Sequence, residues 1–259
     1  MGTSVSSKGP ASGIPLDPPW LQPDPDTGNE NTQLAQPMRF GSARRNLSEY
    51  IQSGSHDSLG RALGHYSKEG MGGAKKLAHR MQATAKSAAG IYRFFHDIQD
   101  TTNESLHSWV ESLRNNQLQT DNIVDQFVDR VLPLKGTLDE DSCRISMDKA
   151  LMELTIETPE INLFQLSEDD IWHLVTLFVR NEAYQRLNTD LGKKFEEAQV
   201  SPLVIVDRQR KMSSYLRSEI DAQIISARKT APPEDTQNLE SIISIAIENT
   251  FTVYEEYLP

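Results

Sequence analysis

The residue with the clearest chemical potential stands at the second position of the chain. Gly2 follows Met1, and because its side chain is the smallest possible, removal of Met1 is sterically easy and leaves a free glycyl amine. Such an amine has a pKa of about 8, so part of it is neutral and nucleophilic at neutral pH. Gly2 is therefore a candidate site of covalent modification.

The residues that follow predict a flexible N-terminal arm over residues 1–38. Gly, Ser and Thr dominate the first part, and seven of the thirteen prolines precede residue 40. Proline removes helix and sheet hydrogen bonds, so this composition does not predict a packed core.

Met1, Gly2 and Ser6 also fit the N-myristoylation motif M-G-x-x-x-[ST]. That motif is short and one acyl chain anchors weakly, so we rank acylation below the other interpretations.

The charge of the chain is unevenly distributed. The formal net charge is −11, yet Arg39 to Arg93 contains ten Lys or Arg against three acids, whereas Asp121 to Pro259 contains fourteen basic and twenty-six acidic residues. A basic stretch in an acidic protein favours a local electrostatic contact with nucleic acid, with an acidic partner or with the acidic half of the same chain. A solvated helix face is an equally weighted explanation.

The clearest amphipathic pattern of the basic stretch runs from Ala74 to Asp100, where we predict one helix. At 3.6 residues per turn its apolar residues share one arc and its cations fall opposite. The segment therefore predicts a candidate basic binding face, made of the following residues: Lys75, Lys76, Arg80, Lys86 and Arg93.

Local signals predict where several other helices begin and end. Ser42 is predicted to cap a first helix that Gly54 ends, and Asp57 is predicted to begin a second. The glycines at 70, 72 and 73 predict a flexible break. Two glycines inside the second helix predict either close packing or mobility, namely Gly60 and Gly64.

The C-terminal half continues with helical spacing. Ser167 and Asp170 form a capping-box-like start before an apolar run that should be the most buried helix. Leu203 to Val206 has strand-like composition, but Ser201 followed by Pro202 is a favourable helix start, so we predict a helix there as well.

The fold class predicted from these patterns is mainly α. A flexible arm over 1–38 precedes a multi-helix body, which divides into a basic, glycine-containing helical region over 39–119 and an acidic, all-helical C-terminal domain over 120–259. The body has room for two helical subdomains.

No motif of a known catalytic or cofactor site occurs in the sequence. There is no H-E-x-x-H, no phosphate-binding loop and no G-x-S-x-G, and Cys143 lies among acids that disfavour a reactive thiolate. We therefore predict a protein that is not an enzyme and has no catalytic residue, metal or cofactor. One cysteine, no secretory leader and no long apolar run predict a cytoplasmic protein without membrane attachment.

The combination of leader, glycine-rich helix and acidic helical half resembles a known family. Residues 2–10, the stretch Leu59-Gly-Arg-Ala-Leu-Gly-His-Tyr-Ser67 and the run from Gly72 to Met81 are similar to the QatB component of bacterial Qat anti-phage defence systems. The resemblance spans most of the chain and carries no catalytic motif.

The resemblance implies both partners and a chemistry for Gly2. In such systems the protein is encoded beside an ATPase, a QueC-like enzyme and a TatD-like nuclease. Enzymes of the QueC type activate a carboxylated deazapurine with ATP for attack by ammonia, so a glycyl amine in place of ammonia would become amide-linked to 7-deazaguanine. The implied role is a non-enzymatic protein substrate modified at Gly2, with Thr3 and Ser4 as the residues by which the partner recognises the tail. The alternative from the residues alone is a nucleic-acid-binding or scaffold adaptor that acts through 39–93.

Overall fold

The computed structural model describes residues 38–99, 103–115, 119–133, 136–230 and 238–259. These residues form helices joined by short connections and contain no β-strand, so the prediction of a mainly α fold is confirmed. The helices are α1 (Gly41–Ser53), α2 (His56–His65), a π-helix (Tyr66–Met71), α3 (Ala74–Arg80), α4 (Gln82–Asp97), α5 (Glu104–Asn115), α6 (Thr120–Val131), α7 (Leu138–Glu157), α8 (Glu168–Leu191), α9 (Lys193–Glu196), α10 (Pro202–Thr230) and α11 (Leu239–Glu255). The predicted arm, apart from Met38, lies outside the described residues.

Several helix ends follow the local signals in the sequence. Gly54 ends α1 in the left-handed conformation with φ 76°, which glycine adopts without a Cβ penalty. Ser167 and Asp170 form a reciprocal cap at the start of α8, because each side chain accepts a hydrogen bond from the backbone amide of the other. Helix α10 begins at Pro202 with Ser201 before it. The predictions of a helix start at Ser167 and of a helix at Leu203 to Val206 that begins with Pro202 are therefore confirmed.

The predicted single helix over 74–100 is wrong, because the chain turns at Met81. Met81 follows α3 with φ −92° and ψ 19°, and its amide donates to the carbonyls of both Leu77 and Ala78 at 3.0 Å. This sharing tightens the last turn of α3, as in a 3₁₀ turn. Because the Met81 side chain is fully buried, packing holds the turn in place, and α4 begins after it.

The start of α1 also differs from the prediction. Phe40, not Ser42, occupies the cap position, and its side chain makes no capping hydrogen bond. The Phe40 ring is buried and the Gly41 amide donates to the Met38 carbonyl at 2.6 Å. Burial of an aromatic ring and this turn fix the start of the helix, so Ser42 lies within the first turn.

The two glycines of α2 allow close packing. A Cβ at Gly60 would lie 2.7 Å from the ring of Tyr257, and a Cβ at Gly64 would overlap the Tyr254 carbonyl oxygen. Of the two predicted explanations for these glycines, close packing is the one that the contacts show.

The segment after α2 changes its winding before it breaks. Residues 66–71 form the π-helix, so Gly70 lies inside a helical turn and not in the predicted break. Gly72 and Gly73 have φ of 85° and 106°, conformations that L side chains rarely adopt. The chain therefore breaks at this pair.

Contacts divide the described chain into two compact units. One contains the described residues up to Met81, Arg186–Ala227 and Ser244–Pro259; the other contains those of Gln82–Gln185 and Arg228–Ile243. Each unit takes segments from both predicted regions, 39–119 and 120–259. Those regions follow changes of charge and composition along the sequence, and their division stays a prediction.

The first unit is held together partly by tyrosines that bond to the backbone of α10. The Tyr50 hydroxyl of α1 donates to the Arg208 carbonyl at 2.9 Å, and the Tyr254 hydroxyl of α11 donates to the Tyr215 carbonyl at 3.2 Å. Both rings are buried. A buried hydroxyl with a partner avoids the penalty of an unsatisfied polar group, so these tyrosines join α1 and α11 to α10.

The second unit has a core of apolar and aromatic side chains. The apolar run of α8 is buried, as predicted, through residues 171–179 except His173 and Thr176. Ring contacts with centroid distances of 5.2–5.9 Å connect an aromatic cluster of Phe94, Phe95, Trp109, Phe127 and Phe164. One buried carboxylate, Glu182, accepts hydrogen bonds from Ser142 and Ser146 of α7.

Among the described helices, none combines the length and the apolar character that spanning a lipid bilayer requires.

Candidate functional site

The residues predicted to carry the chemistry lie outside the described part of the chain. These are Gly2, Thr3 and Ser4. The structure does describe the residues where the predicted arm joins the helical body, Met38 to Phe40. We call these three residues the arm base, and the site is built outward from them.

Phe40 attaches the arm base to the first unit. Its ring lies parallel to the Tyr66 ring, with centroids 5.7 Å apart and planes at 18°. The Arg39 and Arg44 guanidinium carbons lie 4.8 and 5.7 Å from the Phe40 centroid, within the range of cation–π attraction. Gly70 leaves the space that the ring fills, because a Cβ there would lie 2.5 Å from Phe40 Cε1. The ring is therefore enclosed by the π-helix and two arginines.

Below Phe40, a buried tyrosine and a half-buried aspartate form a hydrogen-bonded pair. The Tyr66 hydroxyl donates to Asp190 Oδ2 at 2.8 Å, and Tyr66 is 1% exposed. Burial raises the pKa of Asp190, while the hydrogen bond from Tyr66 and the charges of Arg186, Arg39 and Arg80 act in the opposite direction. Burial and the neighbouring carboxylate raise the pKa of Tyr66 well above its ordinary value.

The burial of Tyr66 determines what the Tyr66–Asp190 pair can do chemically. Tyr66 remains a protonated donor over the physiological pH range, and its hydroxyl is not accessible to a substrate. The pair therefore joins the π-helix to the end of α8.

Beside the arm base lies a cavity of about 480 Å³, which we call the basic cavity. Lys194 and Lys193 lie 2.7 and 3.8 Å from the Glu197 carboxylate. The hydrogen bond from Lys194, followed by the charges of the two lysines, lowers the pKa of Glu197. Arg44 donates to the Asp190 carbonyl at 3.4 Å. The lining residues are Met38, Gly41, Arg44, Arg45, Ser48, Lys193, Lys194 and Glu197.

Sequence reasoning missed this cavity for an identifiable reason. Arg44 and Arg45 come from the basic stretch, but Lys193 and Lys194 come from the half of the chain with a large excess of acids. The adjacent lysines directly after Gly192 are the one local signal that pointed to a basic site there.

The structure does not expose all of the predicted basic face. Arg80 is 6% exposed, and its guanidinium lies 3.4 Å from the Met71 sulfur. Lys75 and Lys86 are exposed, Lys76 is half-buried, and Arg93 lies 3.8 Å from Glu240. The residues before and after Met81 also belong to different contact units. Arg80 is thus not a surface residue of this face, and a binding role for the other four stays a prediction.

In the part of the chain that the structure describes, no three His, Cys, Asp or Glu side chains are grouped as a metal site requires.

Comparison with known families decides the identity of the helical body. The family model described as QatB, Qat anti-phage system associated protein, matches residues 72–254. The chain belongs to the QatB family. Membership in the QatB family makes it a component of an anti-phage defence system, with partners in the same system. The match includes Lys193 and Lys194 of the basic cavity, whereas Gly2 and the arm base precede it. No curated protein and no solved structure matches the chain.

Proposed function

We propose that this QatB-family protein is a protein substrate, and not an enzyme, whose Gly2 is conjugated to 7-deazaguanine by a QueC-like partner after Met1 is removed. The family match supports a role within the defence system. The single observation that carries the chemistry is the leader itself, in which Gly2 is followed by small and polar residues. A partner that needs an unhindered amine would find it there.

The proposed reaction is an amide condensation. The partner first activates the carboxylate of 7-carboxy-7-deazaguanine with ATP, which forms an acyl adenylate and releases pyrophosphate. The neutral amine of Gly2 then attacks the activated carbonyl carbon. A C–N bond forms, the C–O bond to AMP breaks, and the amine loses a proton to the surrounding base or solvent. Because the reaction consumes ATP, the proposal places it in the cytoplasm.

The folded body supports this proposal by providing a fixed attachment for the tail. Phe40 is enclosed by Tyr66, Arg39 and Arg44, so the chain enters the helical body at a defined point. The tail therefore extends from a body that can bind other components of the system. The QueC-like enzyme is the partner that the proposal requires, and the ATPase and the TatD-like nuclease are further candidate partners.

The decisive experiment is intact-mass analysis of the full chain produced with and without its QueC-like partner. We expect loss of Met1 in both samples and the added mass of one 7-deazaguanine carbonyl group only with the partner. Fragmentation should place the added group on the α-amine of Gly2. Equal masses in the two samples would contradict the proposal.

Two variants distinguish the α-amine from a side-chain amine. Gly2→Pro should abolish the added mass, because a secondary ring amine is hindered. Lys8→Arg should retain it, because Lys8 supplies the other primary amine of the leader. Loss of the modification in Lys8→Arg with retention in Gly2→Pro would show that the proposal names the wrong amine.

A further inference from the structure

We propose that the basic cavity binds a small molecule bearing at least two phosphate groups. This site is separate from Gly2 and does not depend on the proposed modification. The argument rests on the charges that line the cavity, on the position of those charges along α1 and on the cavity's size.

Positive charge is concentrated in the cavity. Two arginines from α1, Arg44 and Arg45, face the same space as Lys193 and Lys194, and Glu197 is the one acid in the lining. Because Lys194 lies 2.7 Å from Glu197, that carboxylate stays ionised and leaves a formal excess of three positive charges. An anion is the ligand that this lining would stabilise, and guanidinium groups match phosphate oxygens by paired hydrogen bonds.

The placement of the arginines supports an anionic ligand independently. Arg44 and Arg45 lie at the N-terminal end of α1, and its first turn contains no acidic residue. The amides at a helix N-terminus carry partial positive charge, which disfavours a cation in the first turn, where Arg44 lies; Arg45 follows that turn. A bound anion would remove this repulsion between the helix amides and the arginine. The placement of arginines at this helix end would then have a physical reason.

The size of the cavity favours a small molecule. About 480 Å³ lies within the range of roughly 300–1,000 Å³ that is typical of small-molecule sites. The cations come from two sides, α1 and the Lys193–Lys194 pair, so two phosphate groups can each face a pair of cations. Pyrophosphate is the smallest probe with this chemistry.

Isothermal titration calorimetry of the full chain with pyrophosphate tests the proposal. We expect saturable binding to one site that weakens as salt rises, because screening reduces the attraction. Arg45→Glu combined with Lys193→Glu should weaken binding by at least about tenfold. A titration of the wild-type chain that shows no binding would overturn the proposal.

A matched control separates the cavity from the general charge of the protein. Lys149→Glu with Arg210→Glu also changes one lysine and one arginine, both exposed and outside the cavity, and should leave the affinity within about twofold. Equal weakening in both double variants would overturn the assignment. Binding of duplex DNA without binding of pyrophosphate would likewise overturn it, in favour of an extended polyanion.

Folding of the cavity variant is checked by its circular dichroism and thermal midpoint. Arg45→Gln with Lys193→Gln provides a second test without charge reversal, and it should also weaken pyrophosphate binding. Unchanged binding by a folded neutral variant would overturn the proposal.

Discussion

Burial and neighbouring charges act in opposite directions on the Asp190 carboxylate. Burial disfavours its carboxylate, whereas Tyr66, Arg186, Arg39 and Arg80 favour it, and its pKa remains raised. A folded-state pKa above the unfolded value means that the folded protein holds this proton to a higher pH than the unfolded chain does. Protonation of Asp190 should therefore stabilise the fold.

The sign of the pH dependence follows from that shift. The stabilising contribution of protonated Asp190 is fully present below the unfolded pKa and is lost as the pH rises through the folded pKa. We expect the free energy of unfolding of the wild type, minus that of Asp190→Asn, to increase as the pH falls from neutral towards about 4. Urea denaturation across this range measures the difference. A difference that decreases towards acid would show that the sign is wrong.

At the scale of the helix, close approach in α2 depends on the absence of side chains. Gly64 contacts the Tyr254 carbonyl of α11 so closely that a methyl group would overlap it. Backbone cannot move aside as a flexible side chain can. The same glycine would otherwise weaken the helix by about 0.5–1 kcal/mol relative to alanine, so packing outweighs helix propensity here.

Two alanine substitutions test this balance. Gly64→Ala should reduce the free energy of unfolding by about 1–3 kcal/mol through overpacking. Gly90→Ala is the matched control, because a Cβ at this interior position of α4 meets nothing within 4 Å. It should raise stability by about 0.5–1 kcal/mol. Chemical denaturation of both variants measures the two effects, and destabilisation of similar size in both would argue against the packing explanation.

The helix ends show which parts of the fold local sequence predicts. Gly54, Ser167 and Ser201 act within their own turns, so their types are sufficient to predict a helix boundary. Met81 ends α3 through burial, and the start of α1 depends on the burial of Phe40. Such boundaries depend on residues distant in sequence, which periodicity along one segment does not reveal.

The two candidate sites also differ in whether the sequence alone can predict them. Gly2 is recognisable because its chemistry depends only on its own type and that of its neighbours. The basic cavity requires Arg44 and Arg45 to lie near Lys193 and Lys194, about 150 residues later in the chain. Charge counts along the sequence place the two arginines in a basic region and the two lysines in an acidic one. Only the fold brings the arginines and the lysines together.

Across the whole molecule, the proposed chemistry and the family-matched body occupy different parts of the chain. The QatB family match covers 72–254, whereas Gly2 lies far upstream. If the residues between Gly2 and the body act mainly as a tether, as their composition predicts, modification of Gly2 should depend more on their number than on their order. This expectation rests on the proposed modification of Gly2.

A variant with a scrambled arm and a variant with a shortened arm distinguish the effect of residue order from the effect of length. Random reordering of residues 9–37 should retain the added mass on Gly2, because residues 1–8 and the number of tether residues are unchanged. Deletion of residues 9–30 shortens the maximal reach by roughly 70–80 Å, so we expect a large loss of modification by the QueC-like partner. Intact mass over a time course measures both.

The control for these variants is the stability of the folded body. Neither change touches Phe40 or the residues around it, so the thermal midpoint should equal that of the wild type. Loss of modification in the scrambled chain with retention in the deleted one would show that the order of the residues, and not their number, governs the reaction. The partner would then recognise a sequence within 9–37, and Thr3 and Ser4 would not be sufficient for its binding.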